Sequence, residues 1–215
     1  MNFSQKDKLY NWHPYTQHKT AQDFPAIVKG NDALLWDENG KEYIDAIASW
    51  WVNPFGHSNQ VIADAIYKQL TTLEHVLFGG FTHNVAVELA EKLLSILPNN
   101  QKKIFYSDNG STAVEVAIKV ALQYNYNKGI KKTKIIAFED AFHGDTFGAM
   151  AASGISFFTE AFKGSLLEVT RIPVPNNENK NQVLKELENL VKTNDYAAFI
   201  FEPLVLGAAG MVMYP

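Results

Sequence analysis

No cysteine occurs anywhere in the 215 residues. Its absence excludes disulfides, thiolate metal sites and a cysteine nucleophile, and it removes any sign of an oxidising compartment. The chain also lacks an apolar run long enough to span a bilayer. Its first residues, Met1-Asn2-Phe3-Ser4-Gln5-Lys6-Asp7-Lys8, contain no apolar signal core. These absences point to a cytoplasmic protein with no membrane partner. Strong charge of one sign is missing too. The net charge is -4 and there is no basic block, so nucleic acid is not an expected partner. Neither an internal repeat nor a low-complexity linker is present.

What is there is an ordinary globular composition, 47% apolar and 20% charged, enough for a packed core. The length allows one large domain, or one domain with part of another. Many aromatic residues lie beside Gly, Pro or His rather than in periodic runs. That distribution suits a site built on loops.

Residues 1–25 are polar and aromatic without a period, and Pro14 biases His13 towards an extended backbone. Apolar runs at 33–36 and 41–44 flank Asp37-Glu38-Asn39-Gly40, a strong hairpin signal. Ser58 is the expected N-cap of a helix reaching about Leu73, and a second helix over 85–97 stops at Pro98. Beyond that, strand and helix alternate. Strands are expected at 103–107, 134–138, 169–172 and 197–201, and helices at 111–125 and 181–192. Alternation of this kind implies an α/β fold with a mainly parallel sheet. Ligands collect at the carboxyl ends of such strands. Asp108 to Ser111, Phe142 to Asp145, and Glu202 all follow strands directly.

The stretch Lys103-Ile104-Phe105-Tyr106-Ser107-Asp108-Asn109-Gly110-Ser111-Thr112 reads as strand, turn and helix start. The first turn of a helix leaves N–H groups without partners, and its dipole favours negative charge. Gly110 would let a ligand approach the backbone. Two readings of Ser111 and Thr112 remain open from the residues alone: a helix cap or a phosphate cradle. It is not a P-loop, because no Gly-Lys-Ser/Thr follows, and it is not a dinucleotide fingerprint, because the three spaced glycines are missing. Along the helix, Glu115, Lys119 and Gln123 form one polar stripe, with Glu115 and Lys119 in the favoured order for a helical ion pair.

Ser107-Asp108-Asn109-Gly110-Ser111-Thr112-Ala113-Val114-Glu115 resembles the phosphate loop of fold-type I, class III aminotransferases, which use pyridoxal 5'-phosphate. Phe142-His143-Gly144-Asp145-Thr146-Phe147-Gly148-Ala149 resembles their aromatic-His-Gly loop. Phe201-Glu202-Pro203 followed by Gly207-Ala208-Ala209-Gly210 is similar to their Glu-Pro strand end. Trp12-His13-Pro14-Tyr15-Thr16, Ser49-Trp50-Trp51 and Gly56-His57 resemble the branch that aminates 8-amino-7-oxononanoate.

The resemblance implies residues 1–57 as an N-terminal segment belonging to a small domain, and 58–215 as the first part of a large cofactor-binding domain. It implies that Gly110 and Ser111 hold the cofactor phosphate, that Phe142 stacks on the pyridine ring and also meets substrate, and that Glu202 supports the pyridine side. Tyr15 and Trp50 are implied substrate contacts. The resemblance implies S-adenosylmethionine, the usual donor, as amino donor; many members of that branch carry Tyr at the position of Phe142, which keeps lysine, the donor of some relatives, open as well. The family's Schiff-base lysine, and the Asp that pairs with the pyridine nitrogen, are expected beyond Pro215. The chain is thus expected to be an N-terminal half, inactive alone, within a homodimer when whole. Alternatives are another class III transaminase acting on an ω-amino substrate, and an inactive phosphate-binding half-domain. His143 has no partner at ligand spacing, so no metal is expected; His13, His57 and His83 read as structural, and Trp51 as packing.

Overall fold

The computed structural model describes residues 1–154 and 159–215. The chain divides into two compact units, Met1–Ser95 and Ile96–Pro215. The boundary read at 57/58 concerns domains of the whole protein and differs from this division by compactness.

The first unit opens with α1 (Phe3–Tyr10), where the sequence showed no period. A capping box makes it: Asn2 Oδ1 accepts from the Gln5 N–H, and Gln5 Oε1 accepts from the Asn2 N–H. The antiparallel sheet runs β1 (Ile27–Asn31), β2 (Leu34–Asp37), β3 (Glu42–Ile44). The β2–β3 turn is the expected hairpin. Gly40 takes φ +80°, and Asp37 accepts from the Asn39 and Lys41 N–H groups and the Tyr43 hydroxyl. A one-turn element, α2 (Ala48–Trp51), follows. Then come α3 (Gln60–Leu70) and α4 (Asn84–Ile96). The cap of α3 is Asn59, whose side chain accepts from the Ile62 N–H, and not Ser58. Ser58 sits at φ +56°, outside the extended region an N-cap requires, and donates its hydroxyl to the Gly30 carbonyl.

The second unit has three layers. Its parallel sheet runs β5 (Val169–Ile172), β4 (Lys134–Phe138), β6 (Tyr196–Ile200). Since successive side chains alternate, Ile136 and Phe138 face Ile172, Val183 and Leu206, while Ile135 faces Ile118 and Ala152. The first face is covered by α7 (Lys180–Lys192), the second by α5 (Gly110–Asn127) and α6 (Phe147–Ala152). A 3₁₀ turn spans Glu160–Ser165, and a small hairpin, β7 (Val205–Leu206) with β8 (Val212–Met213), ends the chain. No helix among the described residues is long and apolar enough to cross a membrane.

One expected strand is absent. Residues 103–107 belong to no ladder among the described residues, and Phe105 is 73% exposed. An apolar run becomes a strand only with a neighbour to pair with, and residues 103–107 pair with neither edge strand of the β5-β4-β6 sheet.

Candidate active site

The carboxyl ends of β4 and β6 are adjacent, because the two strands are parallel neighbours. The loop after β4 carries Phe142 to Thr146, and Glu202 lies just past β6. One hydrogen bond from a main-chain N–H joins them, and a second secures the carboxylate locally. Glu202 Oε1 accepts from the Phe142 N–H at 3.0 Å, and Oε2 accepts from the Gly207 N–H at 2.8 Å. Tyr214 donates its hydroxyl to the Glu202 carbonyl oxygen. Each carboxylate oxygen thus accepts from main chain, one from the Phe142 loop and the other from Gly207.

The far end of the same loop is fastened to α5. Ser111 Oγ accepts from the Thr146 N–H at 2.9 Å and lies 2.9 Å from Thr146 Oγ1. Gly144 permits this closeness: it takes φ +129°, and a Cβ there would come within 2.6 Å of Ser111 Cβ. Glu115, one turn further along α5, accepts from the Gly148 and Ala149 N–H groups at 2.6 and 3.3 Å. It therefore serves the N-terminus of α6, and the Lys119 charge is only the last of several influences on it. Burial opposes its charge, but the Thr146 side chain and the two N–H groups outweigh burial and lower its pKa.

Asn109, not Ser111 or Thr112, caps α5. Its Oδ1 accepts from the Thr112 N–H at 2.9 Å, and the Thr112 hydroxyl accepts from the Asn109 N–H at 3.2 Å. The cap reading of Ser111 is replaced, and its hydroxyl is committed to the Phe142 loop. The N–H groups of Gly110 and Ser111 stand in the first helical turn without an acceptor among the described residues. Apart from the adjoining main chain, no atom lies within 4 Å of where a Gly110 side chain would begin. An open helix N-terminus with two donors of this kind fits a phosphate.

Phe142 is half-buried. The next residue, His143, donates its N–H to Ser153 Oγ at 2.9 Å. Its Nε2 is buried with no hydrogen-bond partner among the described residues. Burial pushes its pKa down, and the Glu202 charge works against that shift. The residues that sequence reasoning passed over are the fasteners: Thr146, Ser153 and Arg171. Arg171 donates from Nη2 to the Ala151 and Ser153 carbonyls at 2.7 Å each, closing the C-terminus of α6 with a cation. Thr146 and Ser153 are short polar residues outside regular periods and Arg171 is a lone charge on strand β5, so none of them carries a sequence signal.

Tyr15 and Trp50 belong to the first unit. Their ring centroids are 5.8 Å apart and tilted by 58°, and each side chain is more than half exposed.

The profile of the family described as aminotransferase class-III matches residues 15–215. The chain is 44% identical over 210 residues to the adenosylmethionine-8-amino-7-oxononanoate aminotransferase of Synechococcus elongatus, covering 94% of this chain and 50% of that protein. The crystal structure of the enzyme of the same name from Methanocaldococcus jannaschii superposes with a TM-score of 0.91 at 37% identity, covering 99% of this chain and 49% of that one. An omega transaminase from Pseudomonas jessenii in complex with PMP gives 0.92 at 29% identity, over 100% of this chain and 51% of the other. The chain spans about half the length of these relatives. With the parallel sheet, the open helix N-terminus and the fastened aromatic loop, the match over residues 15–215 settles the lineage: this chain belongs to the class-III aminotransferase family and has the fold of fold-type I transaminases.

Proposed function

We propose that the protein carrying this chain transfers an amino group to 8-amino-7-oxononanoate, giving 7,8-diaminononanoate for biotin synthesis, with pyridoxal 5'-phosphate as cofactor. The observation that carries the reading is the N-terminus of α5: two N–H donors without acceptors, open space at Gly110, and Ser111 tied to the aromatic loop. The relatives' names supply the substrate, and they favour S-adenosylmethionine as amino donor.

In this reading Gly110 and Ser111 hold the phosphate, and Phe142 presents its ring to the cofactor face and its edge to substrate. Glu202 acts by holding the Phe142 main chain. The bound cofactor supplies an electron sink. His143 offers a buried ring nitrogen whose lowered pKa favours the neutral form. Tyr15 and Trp50, the exposed aromatic pair of the first unit, are our candidates for contact with the apolar chain of the ketoacid. We place the protein in the cytoplasm, without nucleic acid or membrane partners. We infer a homodimer, supported by the exposure of Trp12, Phe78 and Phe81 at 87, 53 and 65%.

The test uses the intact protein. It is expected to form 7,8-diaminononanoate from the ketoacid and S-adenosylmethionine. Gly110→Val is expected to weaken cofactor retention at least tenfold while leaving the unfolding midpoint close to the parent, since a side chain there meets only open space. Preference for an ω-amine donor–acceptor pair would move the reading to the alternative within the family. Full cofactor retention by Gly110→Val would remove the phosphate assignment.

A further inference from the structure

Four successive residues, Ala48, Ser49, Trp50 and Trp51, take φ of 48, 47, 64 and 67°. At Ser49 and Trp50 ψ is 55 and 45°, so α2 is a left-handed turn built from residues that have side chains. Such residues visit this region singly, because Cβ crowds the carbonyl oxygen; a run of four, two of them tryptophan, needs to be held. Backbone bonds close the turn, from the Trp51 N–H to the Ile47 carbonyl at 2.8 Å and from the Asn53 N–H to the Ala48 carbonyl at 3.0 Å. They close it without choosing its hand.

A side-chain cluster sits against it. Asp45 Oδ2 accepts from the Ser49 hydroxyl at 2.7 Å and lies 2.7 Å from His57 Nε2, with the carboxylate side chain only 7% exposed. The Ser49 N–H, the Ser49 hydroxyl and His57 together hold the Asp45 pKa at about 2. Both ends of the cluster are anchored at the connection between β1 and β2. The Asp45 N–H donates to the Ala33 carbonyl at 2.8 Å. His57 exchanges backbone hydrogen bonds with Asp32, at 2.8 and 3.1 Å, and packs so closely on Gly30 that a Cβ there would come within 2.9 Å of its own.

We propose that Asp45 and His57 are positioning residues: through Ser49 they lock the turn 48–51 in its left-handed form and so set where the Trp50 ring stands beside Tyr15. Neither residue needs to touch a ligand to do this. The lock stands on the geometry of the first unit alone. Its consequence for the reaction, that it sets the fit of the ketoacid, rests on the reading of Trp50 as a substrate contact.

The experiment labels the tryptophan indoles of the intact protein with ¹⁵N and assigns the resonances by single Trp→Phe changes. Asp45→Asn and His57→Gln are each expected to shift or broaden the Trp50 and Trp51 resonances and to leave Trp36, on β2, in place. Ala48→Gly, which removes the Cβ penalty at one position of the run, is expected to return the Trp50 resonance of Asp45→Asn towards the parent. Unmoved Trp50 and Trp51 resonances in both variants overturn the proposal. Movement of Trp36 along with them also overturns it, because the cluster would then support the whole unit rather than the turn. The substrate consequence is read separately: Asp45→Asn is expected to raise KM for the ketoacid several-fold with a smaller change in kcat. If Trp50→Phe leaves KM unmoved, the substrate reading fails and the lock, judged by the indole spectra, does not.

Discussion

Phe142 and Trp50 are both loop aromatics, yet their loops are fixed by opposite means. The Phe142 loop is held from outside, by Glu202 past a neighbouring strand and by Ser111 on a helix, and its steepest backbone departure falls on a glycine. The Trp50 turn is held by near neighbours in sequence, and its departures fall on Ala, Ser and Trp. A left-handed residue with a side chain costs roughly 1–2 kcal/mol. The first arrangement spreads its support over several elements and has a single left-handed residue with a side chain, Asp140, in the connection from β4 to α6. The second concentrates strain in four residues and relies on one carboxylate to offset it. Removing a fastener should therefore loosen the first loop by degrees and release the second at once.

The largest expected effect is shared by both loops. Neither supplies a reacting amine, and no lysine among the described residues is buried, whereas a nucleophilic lysine needs a desolvated setting. Residues 1–215 purified alone are expected to give no 7,8-diaminononanoate above background; measurable turnover by that chain would show that the division of labour has been misjudged.

Next in size are the fasteners of the Phe142 loop. Glu202→Ala leaves two N–H groups without acceptors, at about 1–3 kcal/mol each where buried, and should lower the denaturation midpoint and cofactor affinity together. Gly144→Ala forces a side chain against Ser111 from a left-handed backbone, an overpacking cost of about 1–3 kcal/mol. If either variant matches the parent in urea denaturation, the support from outside is not what holds the loop.

Smaller is the change at the ring itself. Phe142→Tyr keeps the face and adds a hydroxyl, which as a regained hydrogen bond contributes about 0.5–1.5 kcal/mol, or up to about tenfold in rate with one donor. Rates with S-adenosylmethionine and with lysine are expected to diverge while cofactor affinity holds. Equal rates in parent and variant would strip the Phe of any bearing on donor choice.

The last effect is confined to acid. The Asp45 pKa is about 2 in the fold against an ordinary 3.8. A depressed carboxyl stabilises the folded state above its unfolded value and loses that contribution as pH falls from about 4 to about 2. Unfolding followed across this window should show a steeper loss in the parent than in Asp45→Asn; parallel curves would detach the carboxylate from the stability of the turn.

The sequence disclosed what periodicity and spacing can carry. The strands at 134–138 and 169–172 and the hairpin at 37–40 stand where the apolar pattern and turn residues put them, and the helix expected over 111–125 runs from Gly110 to Asn127. It also brought forward Ser111, Phe142 and Glu202, which the fold joins through one loop. It did not show that Asn109 would take the cap, because Ser, Thr and Asn are equivalent candidates until the backbone chooses among them. Helix α6 escaped notice because Phe-Gly-Ala-Met-Ala-Ala has no polar face, being buried almost throughout. The left-handed turn escaped because no residue in Ala48-Ser49-Trp50-Trp51 favours it; the cause lies at Asp45 and His57, on either side.

The extended run at 103–107 bears on how this chain behaves in solution. Ile104-Phe105-Tyr106 is short, uncharged and rich in β-formers, and it lies outside any ladder among the described residues with Phe105 largely in water. Segments of that character seed intermolecular β-pairing and precipitation. Lys102 and Lys103 on one side and Asp108 on the other stand where gatekeepers against such self-association stand. Neutralising the two lysines, as Lys102→Gln with Lys103→Gln, would be expected to lower the concentration at which the chain begins to scatter light, with its folded structure unaltered.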